Sequence, residues 1–457
     1  MRNSGRPRAP VAIALAACLM VLAAGCTGGS PDPGAGTSGA RASAPGRTPG
    51  TTGGGDFRLP APATGRQSAA EVQRRLCARP PEPTPAPAPT QATTDQPPIV
   101  LDTEQRVQEY RELTYLAPVP IDSVTPAELR TGLEARFDRE YPADLMARRS
   151  RAWSTVGVVP AGIDLRDAFH RYVSAEQGAS YDVDTNVLSL VEHTDLEPIE
   201  HFGLVHELAA ALDDQRFAED RADHLLTACD DEAWMGAQGA MQGSAGFFAT
   251  QVALRTFATG DQSVADPAVR LRQPAGVPPF VHAIRVFPDV QGPTFAATIT
   301  DLGETEAINE PLSSLPVSTE QILHPADRLE DPPVAVDVPD LGPALGTGWR
   351  DLDVMEVGEE WLRAMLALRL DPSDADAAAE GWGGGRYRAW TDGSDSAVML
   401  VTDWDTPKDA AEFETAMRQW IGDGSTAVTG TTQDPSTVVS LFATDPAALT
   451  AMEQALR

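Results

Sequence analysis

The clearest pattern of apolar and polar positions lies in residues 197–217 (EPIEHFGLVHELAAALDDQRF). Apolar residues recur there at three- and four-residue spacing, at Ile199, Phe202, Val205, Leu208 and Leu212. This spacing predicts one long helix with an apolar face. A second long helix is predicted over 231–257, and its glycines would let a neighbouring helix pack closely against it.

Shorter patterns predict a mixture of helices and strands around these two helices. Residues 180–191 alternate as two short strands around Asp184-Thr185-Asn186, which predicts a β-hairpin. Helices are expected at 104–115, 125–137, 164–174, 318–323, 357–370, 408–420 and 446–456, and strands at 386–390, 397–402 and 437–442. Proline and glycine interrupt 260–316, and no element is assigned there. The predicted fold class is α+β.

Charge excludes some partners. The 457 residues carry 35 Lys+Arg against 66 Asp+Glu, a formal net charge of −31. Nucleic-acid binders need a basic surface that displaces phosphate counterions, so we expect no nucleic-acid partner. Direct adhesion to an anionic membrane surface is disfavoured for the same reason.

The first 25 residues have the pattern of an export signal. Arg2, Arg6 and Arg8 precede an apolar run over 11–24 that is too short to span a bilayer. Residues 22–26 (LAAGC) resemble the lipobox of bacterial lipoproteins, with alanine at 23 where leucine is commoner. The resemblance implies cleavage after residue 25, lipidation of Cys26 and anchoring to the outer face of the cell membrane. The alternative is an ordinary cleaved signal.

Residues 26–98 are predicted to form a stalk. Glycine, alanine, proline, serine and threonine dominate most of this segment, so it has too little apolar content to offset the entropy of ordering. One short helix is predicted at 68–77, because Ser68 followed by Glu71 forms a capping-box pattern.

Two cysteines remain after the signal and the predicted anchor, namely Cys77 and Cys229. An oxidising extracytoplasmic compartment favours a disulfide between them, which would hold the short helix on the folded head. Two unpaired thiols are the alternative.

Candidate chemistry lies within the first predicted long helix. His206 and Glu207 begin the sequence HELAA. In zinc peptidases of the HExxH type, two histidines one helical turn apart hold the metal, and the adjacent glutamate activates a metal-bound water. The second histidine is missing here, because residue 210 is alanine.

Several segments resemble a family of bacterial extracytoplasmic proteins with zincin-like metallopeptidase domains. They are Tyr181-Asp182 with Thr185, HELAAALDDQ from His206, GAMQGSA from Gly239, STEQILHP from Ser318, GWGGGRY from Gly381 and WDTPKDAAEF from Trp404. The resemblance covers the chain from about residue 122 to the C-terminus. It implies a zincin-like domain over 99–315, built from an edge hairpin, an active-site helix and a second helix, and a C-terminal β/α subdomain over 316–457.

The departures from the family pattern fall on the expected ligands. Ala210 replaces the second histidine, Gln242 replaces the glutamate ligand, and Ser244 replaces an aspartate. A methyl group cannot bind zinc, and a neutral amide oxygen is a poor ligand for it. We therefore expect no bound metal, and we expect His206 and Glu207 to be partly buried and hydrogen-bonded in the inherited cleft.

Other residues have weaker roles in this interpretation. A rebuilt metal site would draw on His201, His224, Asp213 and Asp214. The resemblance places Tyr181 and His324 near the cleft, although His324 also suits a helix end. Trp382, Trp390 and Trp404 are expected in the core rather than in a peptide groove. The acidic runs 213–223 and 371–380 are expected on the solvated surface.

The sequence thus predicts a surface lipoprotein with a degenerate zincin-like domain that acts in binding or scaffolding. Its partner would be a peptide, a cell-wall component or another surface protein. One alternative is an active zinc metallopeptidase with non-standard ligands. The other is a structural lipoprotein whose cleft has no ligand.

Overall fold

The computed structural model describes residues 57–60, 67–78, 93–173, 178–191, 196–218, 222–423 and 426–457. The predicted signal at 1–25, Cys26 and most of the predicted stalk lie outside these ranges. The described residues belong to one compact unit and combine helices with two β-sheets, so the fold class is α+β as predicted. Within these ranges, no helix combines the length and apolar character needed to cross a membrane.

Helices make up most of the secondary structure. The helices are α1 (Ala69–Cys77), α2 (Pro98–Arg111), α3 (Pro126–Glu140), α4 (Ala143–Val156), α5 (Leu165–Val173), α6 (Pro198–Phe217), α7 (Asp223–Ala228), α8 (Asp231–Thr256), α9 (Pro267–Arg270), α10 (Pro279–Gly303), α11 (Asn309–Ser313), α12 (Thr319–Leu323), α13 (Gly342–Leu345), α14 (Glu359–Leu366), α15 (Pro372–Ala379), α16 (Pro407–Ile421) and α17 (Pro446–Ala455). Short 3₁₀ turns occur at Gln262–Ala265 and Thr305–Ile308.

The strands form two sheets. They are β1 (Ile121–Val124), β2 (Ala179–Asp182), β3 (Val187–Val191), β4 (Arg350–Glu356), β5 (Trp382–Thr391), β6 (Ser396–Trp404), β7 (Ala427–Thr431) and β8 (Thr437–Ala443). The first sheet has the order β1-β3-β2, in which β1 is parallel to β3 and β2 is antiparallel to it. The second sheet is antiparallel throughout, in the order β4-β5-β6-β8-β7.

Helix α8 packs between α6 and α10. Its glycines let α10 approach closely. A Cβ atom added at Gly243 would overlap the backbone carbonyl of Gly292, and one added at Gly292 would lie 2.5 Å from the carbonyl oxygen of Gly239. The backbones therefore touch at this crossing. The predicted close packing through glycine is confirmed.

The five-stranded sheet is buried on both faces. Alternate residues of β6 point to opposite sides: Val398 and Leu400 join a core with Trp153 and Trp361, whereas Met399 and Val401 face a separate core. The first core includes helices from 126–303 as well as elements after residue 350. The predicted boundary between residues 315 and 316 therefore does not separate two independent cores.

The predicted disulfide is present. Cys77 at the end of α1 is bonded to Cys229, and both residues are buried. The capping box of Ser68 and Glu71 is also present at the start of α1. Gln73 adds a hydrogen bond of 2.9 Å from its Nε2 to the Cys229 carbonyl oxygen, so α1 is fixed at several points.

Most predicted helices and strands occur within a few residues of their expected bounds, but some elements differ. Helix α2 begins at Pro98, six residues before its predicted start, and ends where Glu112 takes a left-handed conformation with φ of 56°. Helices α4, α7, α9, α10, α11, α13 and α15 and strands β1, β4 and β7 were not predicted. Helix α10 contains Pro288 and Pro293, which usually end helices, and this explains why its pattern was missed.

Candidate functional site

A cavity of about 630 Å³ lies among helices α3 to α6, α8 and α10, with strand β2 and the start of the five-stranded sheet on its sides. This volume falls within the range of small-molecule binding sites. Much of its wall is apolar, contributed by residues such as Phe137, Met146, Trp153, Phe169, Met235 and Trp361. A smaller number of charged and polar side chains interrupts this wall.

The four residues that the sequence assigns to the degenerate metal site meet at this cavity. His206, Glu207 and Ala210 line it from α6, and Gln242 lines it from α8. Helix α8 passes directly beside the histidine, because a Cβ atom added at Gly246 would lie 3.9 Å from His206 Cδ2. The helical spacing of 206 and 210 puts both side chains on the same face of α6.

Glu207 forms a specific contact with the edge of the first sheet. Its Oε2 accepts a hydrogen bond of 2.7 Å from the backbone N–H of Tyr181. Arg136 Nη1 donates to the Tyr181 carbonyl oxygen at 3.3 Å. Because β2 is an edge strand, these two groups would otherwise be open to a pairing strand. Side chains of the protein itself thus occupy the polar backbone groups of this strand residue.

His206 is largely enclosed. Burial lowers the pKa of His206, but the neighbouring Glu207 carboxylate, with an oxygen 3.6 Å from Nδ1, raises it by more than this. The pKa of His206 therefore lies above its ordinary value. Its Nε2 is buried and makes no hydrogen bond to any residue that the structure describes. The predicted partial burial is present for both side chains, whose exposed fractions are 14% for His206 and 25% for Glu207.

The residues around His206 do not fit a zinc site. A zinc site needs at least three protein ligands in tetrahedral geometry. Ala210 offers only a methyl group and Gln242 only a neutral amide, while Glu207 is bonded to Tyr181. Among the described residues, no three His, Cys, Asp or Glu side chains form a group able to hold a metal ion.

The two acids proposed as substitute ligands, Asp213 and Asp214, do not line the cavity. Asp213 is fully buried, with its Oδ1 2.7 Å from Arg111 Nε and its Oδ2 accepting from Ser244 at 2.6 Å. Asp214 accepts from the Tyr181 hydroxyl at 2.7 Å. The predicted exposure of these two acids is therefore wrong, because each is held inside the protein by a buried donor.

Apart from His206, none of the histidines that the sequence singled out for the site lines this cavity in the described structure. His201 stacks on Phe257 with ring centroids 4.5 Å apart, and His224 is exposed. His324 Nε2 lies 2.8 Å from Glu359 Oε1, which raises the pKa of this histidine. The structure thus places His324 in a separate acidic cluster.

The exposure of the side chains tests the predictions for the three tryptophans and for the acidic run 371–380. Trp382, Trp390 and Trp404 are core residues with exposed fractions of 1%, 1% and 4%, as predicted. In the run 371–380, the acidic side chains are exposed on α15 as expected, while Ala375 and Ala379 are buried beneath them.

Charged residues of the cavity were missed by the sequence reasoning. Arg149 is buried and makes two hydrogen bonds to Asp231, of 2.7 and 2.6 Å, and one of 2.9 Å to Asp353. Arg270 and Arg272 also line the cavity. Arg270 is the last residue of the short helix α9 and Arg272 follows it, in the segment where no element was predicted. The only signal in the sequence is the pair of arginines flanking Leu271.

Comparisons with known proteins cover only part of the chain. Residues 350–450 match a family model described as a domain of unknown function, DUF8575. This match begins at β4, ends within α17 and contains the five-stranded sheet. No curated protein matches the chain, and neither does any solved structure.

Proposed function

We propose that this protein is an exported lipoprotein, anchored through Cys26, whose zincin-like domain binds a ligand in the cavity and has no peptidase activity. One observation carries the proposal. His206, Glu207, Ala210 and Gln242 line one large cavity together, yet two of the four cannot serve as zinc ligands.

The environment of Glu207 supports a binding role over catalysis. A general base must reach a water or substrate proton, and peptide hydrolysis of the HExxH type uses a metal to lower the pKa of that water. Here the carboxylate holds the Tyr181 N–H. The contact gives Glu207 a structural reason to be present without any metal.

Metal content of the purified full-length protein tests the absence of peptidase chemistry. We expect less than stoichiometric zinc by elemental mass spectrometry, with no difference between the parent and a His206→Ala variant. Stoichiometric zinc that is lost in His206→Ala would overturn the proposal and favour an active metallopeptidase.

Ligand capture tests the binding role. The protein is extracted from its own membranes and bound molecules are measured by native mass spectrometry. Ala210→Leu and Gln242→Trp fill the cavity, and each variant should lose the bound molecule. Leu254→Trp is the control, because Leu254 lies on α8 like Gln242 but is 48% exposed, and this variant should retain the bound molecule. An identical result for parent and all variants would contradict the use of this cavity.

A further inference from the structure

The cavity differs in character between its two ends. At one end, Arg270 lies over the Phe202 ring with its Cζ 4.1 Å from the centroid, and Arg272 is exposed. Ile199, one turn before Phe202, is 45% exposed and also lines the cavity. This end therefore opens to solvent.

Another part of the wall belongs to a different core cluster and is deeply buried and aromatic. Trp153 and Trp361 lie edge to face with centroids 6.5 Å apart, and Met146 and Met355 pack in the same core. These four side chains are at most 5% exposed and all of them line the cavity. An apolar group placed there would be shielded from water, which is favourable at about 25 cal/mol per Å² of buried area.

Most cations of the cavity have an acidic partner. Arg136 pairs with Glu140 at 2.8 Å. Arg149 pairs with Asp231, and Arg285 lies 3.5 Å from Asp289.

The acids that remain are also engaged. Glu207 accepts from the Tyr181 N–H, Glu232 accepts from the Thr319 hydroxyl at 2.8 Å, and Glu356 pairs with Arg386. Each of these three acids is thus engaged by a donor of the protein itself.

Arg270 and Arg272 are different, because neither has a carboxylate within 4 Å among the described residues. Arg270 Nη1 donates to the carbonyl oxygens of Val264 and Ala265, which orients the guanidinium. Burial lowers the pKa of Arg270. Asp289 and Asp266 are near enough to raise this pKa in part, but neither forms an ion pair with Arg270. An anion at this end would supply a partner in direct contact with the two guanidinium groups.

We propose that the ligand is an amphipathic anion, whose carboxylate or phosphate group binds Arg270 and Arg272 at the open end and whose apolar body lies against Trp153 and Trp361. This inference rests on the binding function proposed above. Guanidinium groups bind carboxylate and phosphate oxygens with two parallel hydrogen bonds, so either headgroup suits the pair.

The test uses twelve-carbon probes with the purified full-length protein, below their micelle concentrations. Dodecyl phosphate and dodecanoate carry the anion, dodecanol is neutral, dodecyltrimethylammonium is cationic, and inorganic phosphate lacks the apolar body. Binding is measured by calorimetry and by the fluorescence of the lining tryptophans. We expect both anionic probes to bind about tenfold or more tightly than the neutral and cationic ones, a difference of about 1.4 kcal/mol. Inorganic phosphate alone should not bind at the same concentration.

Two variants and a matched control locate the anion. Arg270→Gln and Arg272→Gln should each weaken dodecyl phosphate binding about fivefold or more. Arg255→Gln should leave it unchanged, because Arg255 has a comparable contact with an aromatic ring, Tyr110, but lies outside the cavity lining. Preference for dodecyl phosphate would indicate a lipid phosphate group as the source, and preference for dodecanoate a free fatty acid.

Three results would overturn the inference. They are equal or tighter binding of the cationic or neutral probe, binding of dodecyl phosphate that survives the double variant of Arg270 and Arg272, and no binding of any probe. Each of these leaves the capture experiment with Ala210→Leu unaffected, so failure of the ligand class is distinguishable from failure of the binding function.

Discussion

Glu207 on α6 holds the backbone N–H of Tyr181 on β2 through a hydrogen bond of 2.7 Å. The two residues are 26 positions apart, and the contact joins a long helix to the edge of a sheet. An edge strand with open backbone groups accepts a pairing strand. The Glu207 carboxylate occupies one such group, which favours a ligand other than an extended peptide at this strand residue.

The first prediction concerns the stability supplied by this contact. Glu207→Ala should lower the free energy of unfolding by about 1–3 kcal/mol, because it leaves a partly buried N–H without its acceptor. Glu207→Gln keeps an acceptor oxygen and should cost less than about 1 kcal/mol. Urea unfolding of the full-length variants measures both values. Equal stability of parent and Glu207→Ala would contradict a structural role.

The second prediction tests the geometry of the proposed degenerate metal site. The double change Ala210→His and Gln242→Glu should create stoichiometric zinc binding, since both positions line the cavity beside His206. Adding His206→Ala to that pair removes one of the three protein ligands and should abolish zinc binding. Elemental mass spectrometry gives the answer. Failure of the pair to bind zinc would count against a zincin-like arrangement of α6 and α8.

The third prediction concerns the helix crossing that borders the cavity. Gly243→Ala should destabilise the protein by about 1–3 kcal/mol or more, because the new methyl group would overlap the backbone of Gly292. Gly132→Ala is the matched control, since nothing lies within 4 Å of a Cβ atom at that exposed position of α3. It should raise stability by about 0.5–1 kcal/mol. Thermal unfolding distinguishes the two, and similar effects would refute the close contact.

The fourth prediction is a dependence of stability on pH. Burial raises the pKa of Glu232 from 4.5 to about 8, although hydrogen bonds from Thr319 lower it in part. The folded protein therefore holds a proton that the unfolded chain releases between pH 4.5 and 8. Stability is highest below this window and falls as pH rises through it, by at most about 1.4 kcal/mol per pH unit for this group.

Glu232→Gln tests that assignment, because an amide does not ionise. The variant should show a smaller loss of unfolding free energy between pH 5 and 8 than the parent. Glu412→Gln removes an exposed acid of α16 and should retain the parent slope. A parent slope preserved in Glu232→Gln would show that other groups cause the dependence.

The fifth prediction concerns the disulfide. The bond closes a loop of 152 residues, and chain entropy then implies a stabilisation of about 5 kcal/mol at most. The double variant Cys77→Ser and Cys229→Ser should lose about 2–5 kcal/mol, measured by urea unfolding. The parent under reducing conditions serves as the comparison and should match the variant. A double variant as stable as the oxidised parent would rule out this contribution.

Local sequence signals were sufficient for α6 and α8, two of the helices that line the cavity. The three- and four-residue spacing in α6 and the run over α8 depend on contacts within one helix face, so they are readable from the chain. The capping box at Ser68 involves two residues three positions apart and was equally readable. The incomplete ligand set at 206, 210 and 242 was also visible, because it depends only on residue identity.

Only the tertiary structure determined which charges are neighbours. Arg111 meets Asp213 across 102 positions, and Arg149 meets Asp353 across 204. The same holds for Arg270, because packing brings it to the cavity and places Asp289 of α10 near its guanidinium without a direct ion pair. Contacts between distant residues depend on how helices and sheets pack, and hydrophobic periodicity fixes which face is buried without fixing its partner. The sequence by itself determined most of the elements and showed that the HExxH motif is incomplete. Packing decided the shape and the charge of the cavity.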